Sequence, residues 1–441
     1  MVKVCSKLHP RRTRSVRRPE TRASILDSRT RGRLARSLPR NRRDALARGS
    51  EIMSLDQAID TCITKAIENK IIPGAVSAVV NRDGLVSLRS HGVRSEATRS
   101  PMTDDTVFQI ASMTKPITGT ACMQAVERGL LKLDQPASEI IPWLGEVQVL
   151  EGFSETGPIL RKPNQPVTLR NLLTHTSGFT YEVWNSDMAA WKEHSGNPLT
   201  GSGKLASLHQ PLSFEPGTRW EYGIGIDWAG QLLEAATDTP LAVWMRTEIF
   251  DPLELKDTAY TCHLDMDERR AATHILKEGN WTALESSKQK RLPEFDSGGG
   301  GLFSTAPDYA KFIQMLLRNG ELAGQRLLAP ETISMMSSNN MNDLRVSAVT
   351  SHSQKISADF EFMAGVPKSW GLTFQINENP VDRGRHEGSL SWAGLCNTHF
   401  WIDPKAGFGA LLMTQTLPFM IPQVADLLEE FERAIYETAT S

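Results

Sequence analysis

An α/β protein of α+β type, with an antiparallel sheet built from both chain ends and a mostly helical lobe inserted between them, is the fold this sequence predicts. Three observations predict it. A helix pattern and a hairpin pattern open the folded body, strand runs and a second amphipathic helix close it, and the stretch between breaks into helical pieces.

The first element is a helix, because over residues 55–71 the apolar Ile59, Cys62, Ile63, Ala66 and Ile67 recur at helical spacing. Two strands follow, Gly74-Ala-Val-Ser-Ala-Val-Val and Leu85-Val-Ser-Leu-Arg-Ser. The connecting Asn81-Arg-Asp-Gly84 ends in Asp-Gly, which supplies the left-handed backbone that a tight hairpin needs. At the far end residues 370–376, 397–402 and 408–414 read as strands, the last two joined by Asp403-Pro-Lys-Ala-Gly407. A final helix from 422 to about 438 aligns Val424, Leu427, Leu428, Phe431 and Ile435 on one stripe. Terminal helices on one face of the sheet would bury these stripes. The predicted organisation is a disordered Arg-rich extension over 1–52, an α/β domain from 53–128 and 296–441, and a mostly helical domain over 129–295.

Charge separates the extension from the body. Residues 1–50 hold 14 Arg and two Lys against three acidic residues, and the rest of the chain holds 33 basic and 48 acidic residues. An acidic body argues against a nucleic-acid surface on the folded part. Three readings fit the extension: an upstream segment before a working start at Met53, an organelle transit peptide, and a tail for nucleic acid or another anionic surface. It contains no apolar secretory core, and the chain has no run of about eighteen apolar residues that would span a membrane. The five cysteines, Cys5, Cys62, Cys122, Cys262 and Cys396, are scattered and form no CxxC pair, which fits a reducing, cytoplasmic setting and excludes a cysteine zinc site. No cofactor and no metal are expected.

The chemistry has to be sought in context. There is no G-x-S-x-G elbow and no H-E-x-x-H pair. Thr200-Gly-Ser-Gly-Lys-Leu205 fails as a phosphate loop, since Pro198 stands where the first Gly belongs and Leu205 where a Ser or Thr should bind Mg²⁺. What remains is Ser112-Met-Thr-Lys115, at the start of a helix running through Ile117, Ala121, Met123, Ala125 and Val126. A spacing of three sets both side chains on one helical face, so the amine can lie beside the hydroxyl. Pro116 lacks an amide hydrogen that would have no partner so early in a helix, and the helix N-terminus favours a developing oxyanion at Ser112. On its own the motif fits a nucleophile and an ordinary helix N-cap equally well. Ser287-Lys-Gln-Lys290 matches it too, in a polar stretch that reads as a solvated loop.

Further segments fall in order behind Ser112: Leu172-Leu-Thr-His-Thr-Ser-Gly178, Pro216-Gly-Thr-Arg-Trp-Glu-Tyr222, four glycines at 298–301, and Trp392-Ala-Gly394. With them the chain resembles the serine β-lactamase and DD-peptidase superfamily, and within it the β-lactamase-like esterases called family VIII carboxylesterases. The likeness spans residues 54–437 and implies the serine β-lactamase/DD-peptidase fold.

It also implies roles. Ser112 would be the acylated nucleophile, Lys115 the base that activates it, and Tyr222 the relay that protonates the leaving alcohol. Trp392 and Gly394 would match the third motif, usually Lys-Thr-Gly, whose strand would aim the Leu395 amide at the oxyanion beside the Ser112 amide. Two departures matter. Trp392 replaces the cation that holds an anionic substrate, and Ile224 stands where lactam-cleaving members have an Asn. An apolar wall favours uncharged acyl groups. The resemblance therefore implies a hydrolase of small-molecule esters, with short acyl chains preferred. A lactamase, a peptidase, an acyltransferase and a silent binding protein on the same scaffold are the rivals. His175 reads as structural, Thr305-Ala-Pro-Asp308 as a helix cap, and Trp184, Trp191 and Trp228 as packing residues. Oligomeric state is not readable from the sequence.

Overall fold

The computed structural model describes residues 53–284 and 292–439. The extension predicted over 1–52 and the second motif match at Ser287 lie outside the described residues.

Helix α1 (Leu55–Glu68) begins at a reciprocal cap, in which the Ser54 hydroxyl accepts the Gln57 amide and the Gln57 side chain accepts the Ser54 amide. It stops short of the apolar pattern because Lys70 turns into the left-handed region at φ 57°. Strands β1 (Gly74–Asn81) and β2 (Leu85–Gly92) form the expected hairpin. The far end of the chain adds β3 (Lys368–Trp370), β4 (Gln375–Asn377), β5 (Leu390–Gly394), β6 (Thr398–Asp403) and β7 (Phe408–Met413). Together they make one seven-stranded antiparallel sheet in the order β3-β4-β5-β6-β7-β1-β2.

The single strand expected over 370–376 is two strands. Gly371 packs against the Met336 carbonyl, the Leu372 amide donates to that same carbonyl at 3.0 Å, and Thr373 takes φ 83°. Gly371 permits the break, and a contact 35 residues back in the sequence turns the chain there.

Both faces of the sheet are covered. On β1, Val76, Ala78 and Val80 join Phe400, Leu411 and Met413 in the larger core, whereas Ala75 and Val79 join Trp401 and Leu412 on the opposite face. That second face is closed by Ile59 and Ile63 of α1 and by Val424, Phe431 and Ile435 of the last helix, Pro422–Ala439. Two-sided burial explains why these strands read as near-continuous apolar runs. Phe431 is fully buried in this layer. Phe431→Ala is expected to cost about 3–5 kcal/mol of stability, read from a denaturant titration.

Three helices lie on the other side or beside it. Helix α2 (Thr114–Glu127) is buried on every side, from Thr114 through Ala125, as befits a central helix. Helix α3 (Gly225–Thr237) packs on it, and α4 (Ala306–Leu317) starts at Thr305, whose hydroxyl accepts the Asp308 amide as the sequence suggests. The intervening region is not helical throughout. It contains two hairpins, Val149–Ser154 with Gly157–Arg161 and His274–Lys277 with Asn280–Ala283, which the helical reading missed. Among the described residues no helix is long and apolar enough to cross a membrane.

Candidate active site

Ser112 sits on a short 3₁₀ turn, Ala111–Met113, that leads straight into α2, so the α-helix proper starts two residues later than expected. Ala111 enters the turn at φ 44°, a conformation costly for a residue with a Cβ. Contacts from three other segments hold it there. The Tyr309 hydroxyl donates to the Met113 carbonyl at 3.0 Å, the Leu302 amide to the Thr114 hydroxyl at 3.2 Å, and the Thr398 hydroxyl to the Ile110 carbonyl at 3.3 Å.

Lys115 lies on the first turn of α2, fully buried. Its Nζ is 3.0 Å from Ser112 Oγ, 2.7 Å from the Gly299 carbonyl and 3.1 Å from the Tyr181 hydroxyl. The residue that carries this carbonyl is anchored by Asp227, because the Gly299 amide donates to Asp227 Oδ1 at 3.0 Å and the Ser297 hydroxyl donates to the same oxygen at 2.6 Å. A Cβ on residue 299 would sit 2.4 Å from Asp227 Oδ2. Only glycine lets the loop approach this closely. Burial pushes the Asp227 carboxyl above its ordinary range, opposed by the Lys115 charge and by these two hydrogen bonds.

Tyr222 arrives from the other region of the chain, with its hydroxyl 2.6 Å from Ser112 Oγ. Its ring is wedged among His175, Tyr181, Trp184 and Trp392, at centroid distances of 4.8, 5.3, 5.3 and 4.8 Å. His175 takes φ 57° and its Nδ1 accepts the Gly223 amide at 3.3 Å, which fixes the backbone just after the phenol. Burial, helped by the Lys115 charge, holds the His175 imidazole well below its ordinary pKa, so it stays neutral.

Trp392 is buried on β5, and its indole N–H donates to the Tyr222 hydroxyl at 3.3 Å. Gly394, at the end of β5, lies so close to the turn before Ser112 that a Cβ would be 2.2 Å from the Ile110 carbonyl. Leu395 follows, half-buried against the larger core. Ile224 is wholly buried ahead of α3.

The structure thus draws Ser112, Lys115, Tyr222 and Trp392 into one hydrogen-bonded cluster, with Gly394 and Leu395 at the adjoining strand end. Sequence reasoning missed Tyr181, Asp227, Gly299 and the contact of Trp184 with Tyr222. Tyr181 falls three residues after the Leu172-to-Gly178 segment and Gly299 inside the glycine run, so the only available signal was proximity to segments already singled out. A hydroxyl held between an amine and a phenol can give its proton to one while the other protonates a leaving group, which is the requirement of nucleophilic acyl transfer.

Known proteins share this chain's pattern over most of its length. The family model described as Beta-lactamase matches residues 59–431. A lovastatin esterase of Penicillium rubens is 33% identical over 399 residues, covering 86% of this chain and 98% of the relative. A monacolin J acid methylbutanoyltransferase of Aspergillus terreus is 32% identical over 399 residues, covering 86% of this chain and 95% of the relative. Among solved structures, a mutant simvastatin synthase from Aspergillus terreus superposes with a TM-score of 0.74 at 30% identity, covering 87% of this chain and 96% of the other. The chain belongs to the Beta-lactamase family, as an ester-acting serine enzyme of the serine β-lactamase-like superfamily.

Proposed function

We propose that this protein is a carboxylesterase that works through an acyl-enzyme on Ser112. The observation that carries the reading is the position of Ser112 Oγ between Tyr222 Oη at 2.6 Å and Lys115 Nζ at 3.0 Å. In the first half-reaction Ser112 Oγ bonds to the ester carbonyl carbon and its proton passes to Lys115. The amides of Ser112 and Leu395 donate to the oxyanion, a contribution worth about 2.7–4 kcal/mol per donor. The C–O bond then breaks, Tyr222 protonates the departing alcohol, and the Lys115 ammonium returns a proton to the phenolate. Water next attacks the acyl carbon, giving up its proton to the same pair, and Ser112 is released with its proton restored.

Trp392 supports uncharged acyl groups. By the resemblance its indole replaces the cation that would meet an anionic substrate, and Trp370 and Phe362 pack against it at 4.6 and 5.5 Å. The substrate in this reading is a small-molecule ester with a short acyl chain, in a cytoplasmic setting, and no cofactor enters.

A second reading has its own support. One relative is named an esterase and another, at nearly the same identity, a methylbutanoyltransferase. In a transferase, an alcohol replaces water in the second half-reaction. Product analysis separates them. With p-nitrophenyl butanoate and a graded concentration of an acceptor alcohol, butanoic acid is expected as the main product. A predominance of the new butanoyl ester would instead identify a transferase. A chromogenic cephalosporin, run in parallel, is expected to turn over more slowly than the ester. Faster turnover of the cephalosporin would favour a lactamase, and inertness toward the ester, the cephalosporin and a fluorophosphonate probe alike would favour a silent binding protein.

A further inference from the structure

We infer that Trp392 and Tyr181 are positioning residues at the two ends of a single hydrogen-bonded chain, Trp392–Tyr222–Ser112–Lys115, and that they hold the phenol and the amine on either side of Ser112 Oγ. This inference rests on the Ser112 reading above and deepens it.

Counting protons assigns the donors. An indole nitrogen only donates. Trp392 Nε1, 3.3 Å from Tyr222 Oη, therefore places its hydrogen on the phenol oxygen, and the phenol's own proton goes to the neighbour at 2.6 Å, Ser112 Oγ. The serine oxygen has two lone pairs, so it accepts from Tyr222 and also from the amine at 3.0 Å.

The other end of the chain closes the argument. A backbone carbonyl only accepts, so Gly299 O, at 2.7 Å, takes one N–H of Lys115. The Tyr181 oxygen, 3.1 Å from Nζ, receives a second N–H. Gly299 and Tyr181 together fix two tetrahedral directions at Nζ, with Cε in the third, so the fourth faces Ser112. When the amine gives up that proton, its lone pair is already aimed at the serine hydroxyl. Burial raises the Tyr181 phenol well above its ordinary range, which keeps it a neutral acceptor.

Tyr181 also acts after proton transfer. The ammonium has three N–H groups, and Tyr181 accepts one of them in a charge-assisted bond. Tyr181→Phe removes that acceptor while keeping the ring packed edge-on with Trp184 and tilted against Tyr222, at 5.4 and 5.3 Å.

The test is the pH profile of kcat/KM for p-nitrophenyl butanoate in wild type, Tyr181→Phe, Trp392→Phe and the double variant, with Ser112→Ala alongside. Tyr181→Phe is expected to lower the plateau by about 10–100-fold, the size of one lost hydrogen bond to a charged group, and to move the acid limb to lower pH. A merely structural role would not move that limb. The double variant is expected to lose less than the product of the two single losses, because the residues act on one chain. An unmoved acid limb in Tyr181→Phe, or losses that multiply in the double variant, overturns the inference. If turnover becomes too slow to profile, the pH dependence of fluorophosphonate labelling of Ser112 supplies the same limb. Turnover surviving in Ser112→Ala would instead overturn the functional reading, and this inference with it.

Discussion

Ser112→Ala is expected to lower kcat for p-nitrophenyl butanoate by on the order of 10⁶-fold, with KM nearly unchanged. The hydroxyl makes the covalent bond, and nothing else within the cluster can take its place: Lys115 Nζ is engaged by Gly299 and Tyr181, and Tyr222 Oη by Trp392. Those remaining partners also predict a folded variant. Lys115 and Tyr222 each lose one hydrogen bond and keep the others, so stability should shift by no more than about 1–2 kcal/mol. A thermal melt close to wild type together with lost turnover is the expected pair of results. Lost turnover with a collapsed melt would mean that the substitution had disrupted packing instead.

Lys115→Met should be the next most damaging change. It keeps the aliphatic stem within the first turn of α2 but deletes the amine, and loss of a positioned general base is expected to reduce kcat by about 10²–10⁴-fold. Lys115→Arg is expected not to rescue it, because a guanidinium does not give up its proton and so cannot take one from Ser112. The double variant Ser112→Ala with Lys115→Met should be no slower than Ser112→Ala alone, since residues that act as one unit do not contribute independently. Substantial activity in Lys115→Arg would show that a cation, and not a base, is what the site needs at this position.

How legible the molecule is in its sequence depends on how local the cause of each feature is. The β1–β2 hairpin and the closing helix are written in short-range patterns, an Asp-Gly turn and a five-residue apolar stripe, and the structure has both. The break between β3 and β4 is written only in part, since Gly371 permits it but Met336 imposes it from a distant segment. The two hairpins of the middle region were missed for a different reason: Pro and Gly breaks there look the same whether helices or strands lie between them.

The site divides along the same line. Ser112 and Lys115 share one turn of chain, so elementary helix geometry puts them together. Tyr222 and Trp392 lie 110 and 280 residues away and could be assigned only through a resemblance of ordered motifs. That resemblance described Trp392 as an apolar wall. The indole N–H on Tyr222 is a further property, visible only once β5 and the Tyr222 loop face each other. Tyr181, Asp227 and Gly299 carry no spacing rule at all, since a phenol and a carbonyl converge on the amine from separate segments and the carboxylate acts a step back, on the Gly299 amide.

The central claim is that one hydroxyl carries the acyl group. A fluorophosphonate probe followed by peptide mass spectrometry, with residual hydrolysis of p-nitrophenyl butanoate measured on the same samples, examines it most directly. One label per chain on the peptide holding Ser112, with activity falling in step with labelling, is the predicted result. Label on another residue, or hydrolysis that persists after Ser112 is fully modified, would contradict it.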